Sequence, residues 1–138
     1  TNSRPILMIK AHVLLVEDEG IVAMALAICL EELGCAVTSD CDTGEAALEC
    51  ISRVRPDLVL MDVGLNGALD GVETAIRIWN QYRLPILFLS GHSDDATLER
   101  AKLAHPIGYL VKPFADETLQ SAMEQALAAV SARKGCAD

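Results

Sequence analysis

Four residues able to bind a metal ion or a phosphate group stand at the ends of apolar runs in this sequence. Glu17 and Asp18 follow HVLLV, Asp62 ends DLVLMD, and Lys112 follows IGYLV. Ser90 ends another such run, PILFLS. Carboxylates placed together repel one another and require a cation, and a lone buried lysine is costly. This set of residue types therefore predicts a site for a divalent metal ion and a phosphoryl group.

Mg²⁺ is the ion that such a set favours, because it prefers oxygen ligands and keeps several water molecules. We predict Asp18 and Asp62 as direct ligands, with Glu17 binding directly or through water. Asp62 can act as a nucleophile towards phosphorus, since carboxylates form aspartyl-phosphates. Lys112 and Ser90 would each hold a phosphoryl oxygen.

Taken singly, each of these residues has a simpler explanation. Glu17 and Asp18 resemble charges at a helix N-terminus, and Asp62 resembles a loop or cap residue. Ser90 resembles a strand-end hydroxyl, and Lys112 a solvated surface charge. Their joint occurrence at the ends of four apolar runs is what favours a site.

The elements that must position these residues alternate along the chain. Apolar runs that predict strands occupy residues 12–16, 36–39, 57–62, 85–90 and 107–111. Segments of helical length and period occupy residues 20–34, 44–54, 71–82, 93–104 and 116–133. Because the strands are continuously apolar, we predict a parallel sheet covered on both faces, hence a three-layer α/β domain. Ligands of such folds bind beyond the carboxyl ends of the strands.

Local signals indicate where the helices begin and end. Asp42 and Asp70 each precede a glutamate by three residues, which is typical of a helix N-terminus. Gly34 is predicted to close the first helix. We interpret Glu19 as a charge in the first turn of that helix.

Length and composition exclude several classes of protein. The 138 residues fit one domain, and the net charge of −9 argues against binding to a nucleic-acid backbone. No apolar stretch reaches the roughly 18 residues that span a bilayer, so we expect a cytoplasmic protein without membrane contact.

The five cysteines lack CxxC spacing, which fits neither a disulfide framework nor a zinc site. We expect four of them to be reduced, partly buried hydrophobic side chains.

The segments LLVEDE, DLVLMD, PILFLSG and GYLVKPF, in that order, resemble the receiver domain of two-component response regulators. The resemblance covers residues 12–130, which leaves tails at 1–11 and 131–138. It implies a flavodoxin-like, doubly wound (βα)5 fold with strand order 2-1-3-4-5. It also implies partners, namely a sensor histidine kinase or a histidine phosphotransfer protein.

The resemblance assigns roles to the residues at the metal ion. Asp62 is the expected phosphoacceptor. Glu17, Asp18, Asp62 and the Gly64 carbonyl are the expected Mg²⁺ ligands.

It also assigns roles around the phosphoryl group. Ser90 and Lys112 are expected to contact that group, and Tyr109 is the expected switch residue whose ring turns inward. The Lys112–Pro113 peptide bond is expected to be cis.

Two departures from the family pattern concern the site. The loop VGLNGALDG after Asp62 is one residue longer than usual, and Gly64 and Gly67 make it permissive. Ser90 replaces the commoner threonine, which keeps the hydroxyl and removes a methyl group.

The first helix also departs from the pattern, because apolar residues lie on both of its sides. We predict an inward stripe of Val22, Leu26, Cys29, Leu30 and Leu33, with Ala23, Met24, Ala27 and Ile28 largely outside it. In the family this helix docks the phosphotransfer partner, so we hypothesise that Met24 and Ile28 form an apolar docking patch. The alternative, singly exposed apolar residues without a role, is equally open.

The leading functional hypothesis is a phosphorylation-operated signalling module that acts on no separate substrate and is therefore not an enzyme in the usual sense. The alternative is a pseudo-receiver, an interaction domain that keeps the fold without the phosphate switch. A phosphatase acting on another molecule lacks a substrate pocket, and an FMN carrier conflicts with the acids of the first turn. By analogy with the family, residues 94–127 offer a face for a homodimer.

Overall fold

A single parallel sheet forms the centre of the computed structural model, which describes residues 10–91 and 94–136, with side chains up to residue 130. Its order is β2-β1-β3-β4-β5. The strands are β1 (His12–Val16), β2 (Ala36–Cys41), β3 (Leu58–Asp62), β4 (Ile86–Ser90) and β5 (Gly108–Val111). This architecture confirms the predicted α/β fold and strand order.

Helices alternate with the strands along the described residues. They are α1 (Gly20–Glu32), α2 (Gly44–Arg53), α3 (Gly71–Tyr82), α4 (Asp95–Ala101) and α5 (Asp116–Cys136). A 3₁₀ turn, Lys102–Ala104, continues α4. Among the described residues, none of these helices combines the length and the apolar character needed to cross a membrane.

Side chains of successive strand residues pack on opposite faces of the sheet and create two cores. Leu14, Met61 and Phe88 face α2 and α3. Leu15 and Leu60 belong to the second core, which packs under α1 and α5. The strands β1, β3 and β4 are almost wholly buried, whereas β2 and β5 are edge strands with exposed residues. The continuous apolar runs therefore mark the three central strands.

Helix caps agree with the sequence at α3 and differ at α2. The Asp70 carboxylate accepts a hydrogen bond from the Glu73 N–H, as predicted. At α2 the cap is Thr43 and not Asp42, because the Thr43 side chain accepts from the Ala46 N–H. Gly34 follows α1 with φ of 100°, a conformation that favours glycine.

The buried stripe of α1 is a correction to our prediction. It consists of Ala23, Leu26, Leu30 and Leu33, spaced by three and four residues, while Val22 and Cys29 are half-buried. The predicted stripe is thus wrong by about one residue around the helix, because the small Ala23 side chain packs in the core where we predicted Val22.

The chain ends differ in what the structure describes. Helix α5 continues to Cys136, so residues 131–136 of the predicted tail are helical. Residues 1–9 of the predicted N-terminal tail lie outside the described residues.

Candidate phosphoryl-acceptor site

The strand register brings the acidic residues of β1 and β3 to one edge of the sheet. Val16 pairs with Met61, so Glu17 and Asp62 follow at the same level. Strand β1 lies between β2 and β3, which makes this edge the point where the strand order reverses. Such a point is where open α/β sheets bind their ligands.

Three carboxylates converge at this edge. One oxygen from each of Glu17, Asp18 and Asp62 lies within 4.8 Å of the others. Glu17 is only 2% exposed and Asp62 only 6% exposed, while Asp18 is half-buried. Like charges this close and this buried oppose one another's ionisation unless a cation is present.

Lys112 supplies one cation to this cluster. Its Nζ lies 2.7 Å from Glu17 Oε1, 3.6 Å from Asp62 Oδ1 and 3.8 Å from Glu19 Oε1. Burial alone lowers the pKa of Lys112, but the hydrogen bond to Glu17 and the charges of Asp62, Glu17 and Glu19 together raise this pKa above its usual value. Lys112 is therefore a charged ammonium that faces two buried acids.

Glu17 is the most constrained of the three acids. Its Oε1 accepts a hydrogen bond from Lys112, and its Oε2 accepts one from the Glu19 N–H at 3.1 Å. Burial raises the pKa of Glu17, and this effect outweighs the lowering by those two hydrogen bonds. Glu19 itself is the N-cap residue of α1, one position before the first turn.

Asp18 is held by the loop that follows β3. The backbone N–H of Asn66 and its side-chain Nδ2–H both donate to Asp18 Oδ2, at 3.2 and 3.1 Å. Asn66 lies in the loop VGLNGALDG, and this contact was not predicted from the sequence. The pair is 48 residues apart, and no local pattern encodes it.

The backbone around Asp62 is fixed by two glycines. The Gly64 N–H donates to Asp62 Oδ1 at 3.0 Å. A Cβ atom at Gly71 would overlap the carbonyl group of Asp62, so only glycine permits the start of α3 to pack here. Sequence reasoning missed Gly71, although its place directly after the cap Asp70 was a usable signal.

The residues of β4 and β5 complete the edge. Ser90 is 6% exposed, and its carbonyl accepts a hydrogen bond from the Lys112 N–H at 2.7 Å. The Lys112–Pro113 peptide bond, for which we expected the cis form, is cis. The Tyr109 ring is 41% exposed and stacks on Phe88, with centroids 5.8 Å apart.

The solvent side of α1 is apolar next to this site. Ile21, Met24 and Ile28 are 87%, 66% and 51% exposed. A groove of about 480 Å³ runs from Glu17 and Asp18 along Met24 and Ile28. The residues of the predicted docking patch thus lie on a surface that leads to the acids.

The arrangement of acids and lysine can hold a divalent metal ion and present a carboxylate to phosphorus. Glu17, Asp18 and Asp62 offer carboxylate oxygens within 4.8 Å of one another. Carboxylate oxygens are the ligands that Mg²⁺ prefers, and it needs only one or two of them besides water and phosphate oxygens. The chemistry of this donor set therefore fits Mg²⁺.

Comparison with known proteins identifies the class to which this fold and site belong. The family model described as the response regulator receiver domain matches residues 13–124. The chain therefore belongs to the response regulator receiver domain family. The predicted resemblance is confirmed.

Two relatives of this chain are transcriptional regulatory proteins. The transcriptional regulatory protein PdtaR of Mycobacterium tuberculosis is 36% identical over 119 residues, 86% of this chain and 58% of that protein. The transcriptional regulatory protein CseB of Streptomyces coelicolor is 38% identical over 105 residues, 76% of this chain and 44% of that protein. The chain thus spans about half the length of these relatives.

A solved structure of the same class superposes closely. The signal receiver domain of a modulated diguanylate cyclase from Desulfovibrio desulfuricans is 43% identical and has a TM-score of 0.84. The match covers 91% of this chain and 99% of that domain.

Proposed function

We propose that this receiver domain is a phosphoacceptor of a two-component phosphorelay and that Asp62 is the residue that accepts the phosphoryl group. The observation that carries the proposal is the position of the Asp62 carboxylate. It is buried at the reversal point of the sheet, 3.6 Å from the Lys112 ammonium and beside Glu17 and Asp18. Nucleophile, cation and metal-binding acids thus converge at one point.

The reaction is a transfer of phosphorus from nitrogen to oxygen. An Asp62 oxygen attacks the phosphorus atom of a phosphohistidine donor, an O–P bond forms, and the P–N bond breaks with its electrons going to the histidine ring. Lys112 holds a phosphoryl oxygen, because its raised pKa keeps it charged. The Ser90 hydroxyl is a rotatable donor for a further oxygen.

We assign Mg²⁺ as the cofactor. When bound, Mg²⁺ neutralises negative charge on the transferring oxygens. Asp18, Asp62 and the Gly64 carbonyl would bind it directly. Glu17 would bind it through water, since both of its oxygens already accept hydrogen bonds within the protein. For Asp18 to use Oδ2, the Asn66 amides must first release that atom.

The output is a conformational switch at Ser90 and Tyr109. A phosphoryl group on Asp62 draws the Ser90 hydroxyl towards it, and the Tyr109 ring turns inward from its stacked position on Phe88. The Tyr109 ring is 41% exposed, so it starts from an outward position from which it can turn. This is a two-state element biased by a local change of charge.

The phosphodonor, a sensor histidine kinase or a histidine phosphotransfer protein, docks on α1. The exposed Met24 and Ile28 lie one helical turn apart along the groove that ends at Glu17 and Asp18. Met24→Lys and Ile28→Lys are expected to slow transfer from the donor at least tenfold. Their rate with a small phosphodonor should stay unchanged.

Val54→Lys provides a matched control for these docking variants. Val54 is 61% exposed and ends α2, away from the site. Its transfer rate should equal that of the wild type. Equal rates for all three variants would mean that the apolar side of α1 has no docking role.

Phosphorylation can also favour a homodimer through the α4-β5-α5 face. Leu103 and Val111 are 61% and 62% exposed on this face. Sedimentation with and without a beryllofluoride mimic tests the proposal. A dimer should form with the mimic and should weaken in Leu103→Lys, and a monomer under both conditions contradicts the proposal.

Intact mass is the test of the proposed function. With Mg²⁺ and acetyl phosphate, the protein should gain the mass of one phosphoryl group, and EDTA or Asp62→Asn should abolish the gain. A folded protein that gains no such mass, or that gains it in Asp62→Asn, would instead be a pseudo-receiver or would use another acceptor.

A further inference from the structure

Two cysteines on the α2–α3 side of the sheet lie in direct contact. Cys41 ends β2, Cys50 lies in α2, and their Sγ atoms are 2.6 Å apart. The Thr43 cap starts α2 directly after the strand, which folds the helix back over the end of β2. Both residues were predicted as reduced hydrophobic side chains, and both are free thiols in the structure. Their proximity is a feature that the proposed function does not use.

The two thiols differ in their access to solvent. Cys41 is 1% exposed and packs in the core. Cys50 is half-buried and lines a hollow of about 220 Å³ together with His12, Thr38 and Arg53. A small oxidant can therefore reach Cys50 through this hollow, whereas Cys41 is sheltered.

The ionisation of Cys41 also indicates that Cys50 is the thiol that reacts first with an oxidant. Burial, followed by the hydrogen bond and charge of Cys50 and the charges of Asp40 and Asp42, raises the pKa of Cys41 to about 12. Cys41 is therefore a neutral thiol at physiological pH. Because thiolates are the nucleophiles of cysteine chemistry, Cys41 is the wrong residue to attack an oxidant first.

Metal binding explains this pair less well than oxidation does. Asp40 joins the two cysteines within 4.8 Å, which is a possible metal-ligand group. Two thiolates bound to one zinc ion at about 2.3 Å lie about 3.8 Å apart in tetrahedral geometry. The observed sulfur separation of 2.6 Å is much shorter. The contact thus favours a bond between the sulfurs.

We propose that Cys41 and Cys50 form a reversible modification site, at which a hydroperoxide converts the two thiols into a disulfide. The Cys50 thiolate attacks the peroxide oxygen, the O–O bond breaks, and the departing oxygen takes up a proton to leave as water or an alcohol. Cys50 becomes a sulfenic acid. The Cys41 sulfur then attacks the Cys50 sulfur, the S–O bond breaks, and water leaves with the Cys41 proton. Two thiols are oxidised and one peroxide is reduced.

The disulfide would join the end of β2 to α2 across the short connection that contains Asp42 and Thr43. Asp40 and Asp42 line the groove that also contains Glu17 and Asp18. Oxidation therefore fixes the wall of the groove opposite α1. Disulfides of proteins in reducing compartments are usually transient, so a reductant is expected to restore the thiols.

Peptide mapping of the oxidised full chain tests this proposal. The reduced protein is treated with hydrogen peroxide at a concentration that oxidises free cysteine, then alkylated in denaturant, digested and analysed by mass spectrometry. The main product should be a Cys41–Cys50 cross-link that dithiothreitol removes. In Cys41→Ser, dimedone should capture a sulfenic acid at Cys50. In Cys50→Ser, Cys41 should remain alkylatable.

Cys35→Ser is the matched control, since Cys35 is buried in the other core, under α1 and α5. Its yield of the Cys41–Cys50 cross-link should lie within twofold of the wild type. The proposal is overturned if the wild type keeps both thiols under these conditions or links either one to another cysteine. It is also overturned if Cys41 oxidises at the wild-type rate in Cys50→Ser. The wild-type measurement needs no variant to fold.

Discussion

The carboxyl edge around Asp62 and the surface of α3 both carry acidic side chains, but they differ in how those acids are paired. On α3, Glu73 contacts Arg77 at 3.2 Å, and Asp70 both caps the helix and contacts Arg100 at 3.2 Å. At the carboxyl edge, one ammonium faces a cluster of three converging carboxylates, two of them buried.

This difference separates a region that supports the fold from one that supports a reaction. The acids of α3 each have a basic partner or a free backbone N–H, so they stabilise the helix. An excess of buried negative charge lowers the free energy of unfolding. Proteins keep such destabilising residues at sites where function requires them. Changes at the edge should therefore alter both stability and phosphorylation, whereas changes on α3 should alter stability alone.

The largest expected effect is that of Lys112→Gln. The substitution removes the ammonium that faces the buried Glu17 and Asp62. Removing one partner of a buried ion pair lowers the free energy of unfolding by about 3 kcal/mol. Urea unfolding at pH 7 measures this loss. Lys102→Gln is the control, because Lys102 contacts Glu99 at 2.6 Å with both side chains at least two-thirds exposed. The free energy of unfolding of Lys102→Gln should equal that of the wild type. Similar losses of stability in the two variants would contradict the distinction between the carboxyl edge and exposed ion pairs.

Gly71→Ala should have the next largest effect, because Gly71 lies where the two regions meet. The added methyl group overlaps the Asp62 carbonyl, and overpacking of this kind costs about 1–3 kcal/mol. Phosphorylation by acetyl phosphate should fall as well. Gly20→Ala, at the start of α1, has no atom within 4 Å of the new Cβ and should be neutral in both assays. Equal stabilities and equal phosphorylation rates in the two alanine variants would contradict the close packing of Gly71 against the Asp62 carbonyl.

Asp70→Ala should reduce stability by about 1 kcal/mol, the usual effect of a lost helix cap. The rate at which Asp62 is phosphorylated should not change. Asp70→Ser keeps a capping oxygen but loses the contact with Arg100, so it should recover most of the stability. If Asp70→Ala folds but is phosphorylated more slowly, α3 also supports the reaction, and the functional distinction between α3 and the carboxyl edge is wrong.

The smallest of these effects is expected for Glu17→Gln, which should alter how the free energy of unfolding depends on pH. The raised pKa of Glu17 means that the folded protein binds this proton more tightly than the unfolded chain. Without Mg²⁺, the wild type should therefore gain stability relative to Glu17→Gln as the pH falls through that raised pKa towards 4.5, the ordinary value. Unfolding curves between about pH 4.5 and 8 measure the difference.

Glu31→Gln is the control for this pH dependence, since Glu31 is exposed on α1. Its stability should follow that of the wild type across the same pH range. A wild type that loses stability relative to Glu17→Gln on acidification would show that burial does not dominate at Glu17.

The sequence predicted the edge because strand ends are visible as apolar runs. Those runs place Glu17, Asp62, Ser90 and Lys112 at the ends of strands, and parallel strands end at the same edge. The resemblance added the strand order, which periodicity alone does not determine.

The contacts within the site could not be predicted in the same way. Lys112 lies closer to Glu17 than to Asp62, and this preference depends on side-chain conformations set by burial. The bonds from Asn66 to Asp18 depend on the path of a glycine-containing loop. The contact between Cys41 and Cys50 depends on how α2 folds back over β2, and the cysteine spacing did not indicate it.

The most direct test of the account is to locate the phosphoryl group chemically. After incubation with Mg²⁺ and acetyl phosphate, borohydride converts an aspartyl-phosphate to homoserine, which tandem mass spectrometry can assign to a position. We predict homoserine at position 62 and unmodified aspartate at position 18. Homoserine elsewhere, or its absence from a folded protein that carries Mg²⁺, would contradict the assignment of Asp62 as the phosphoacceptor.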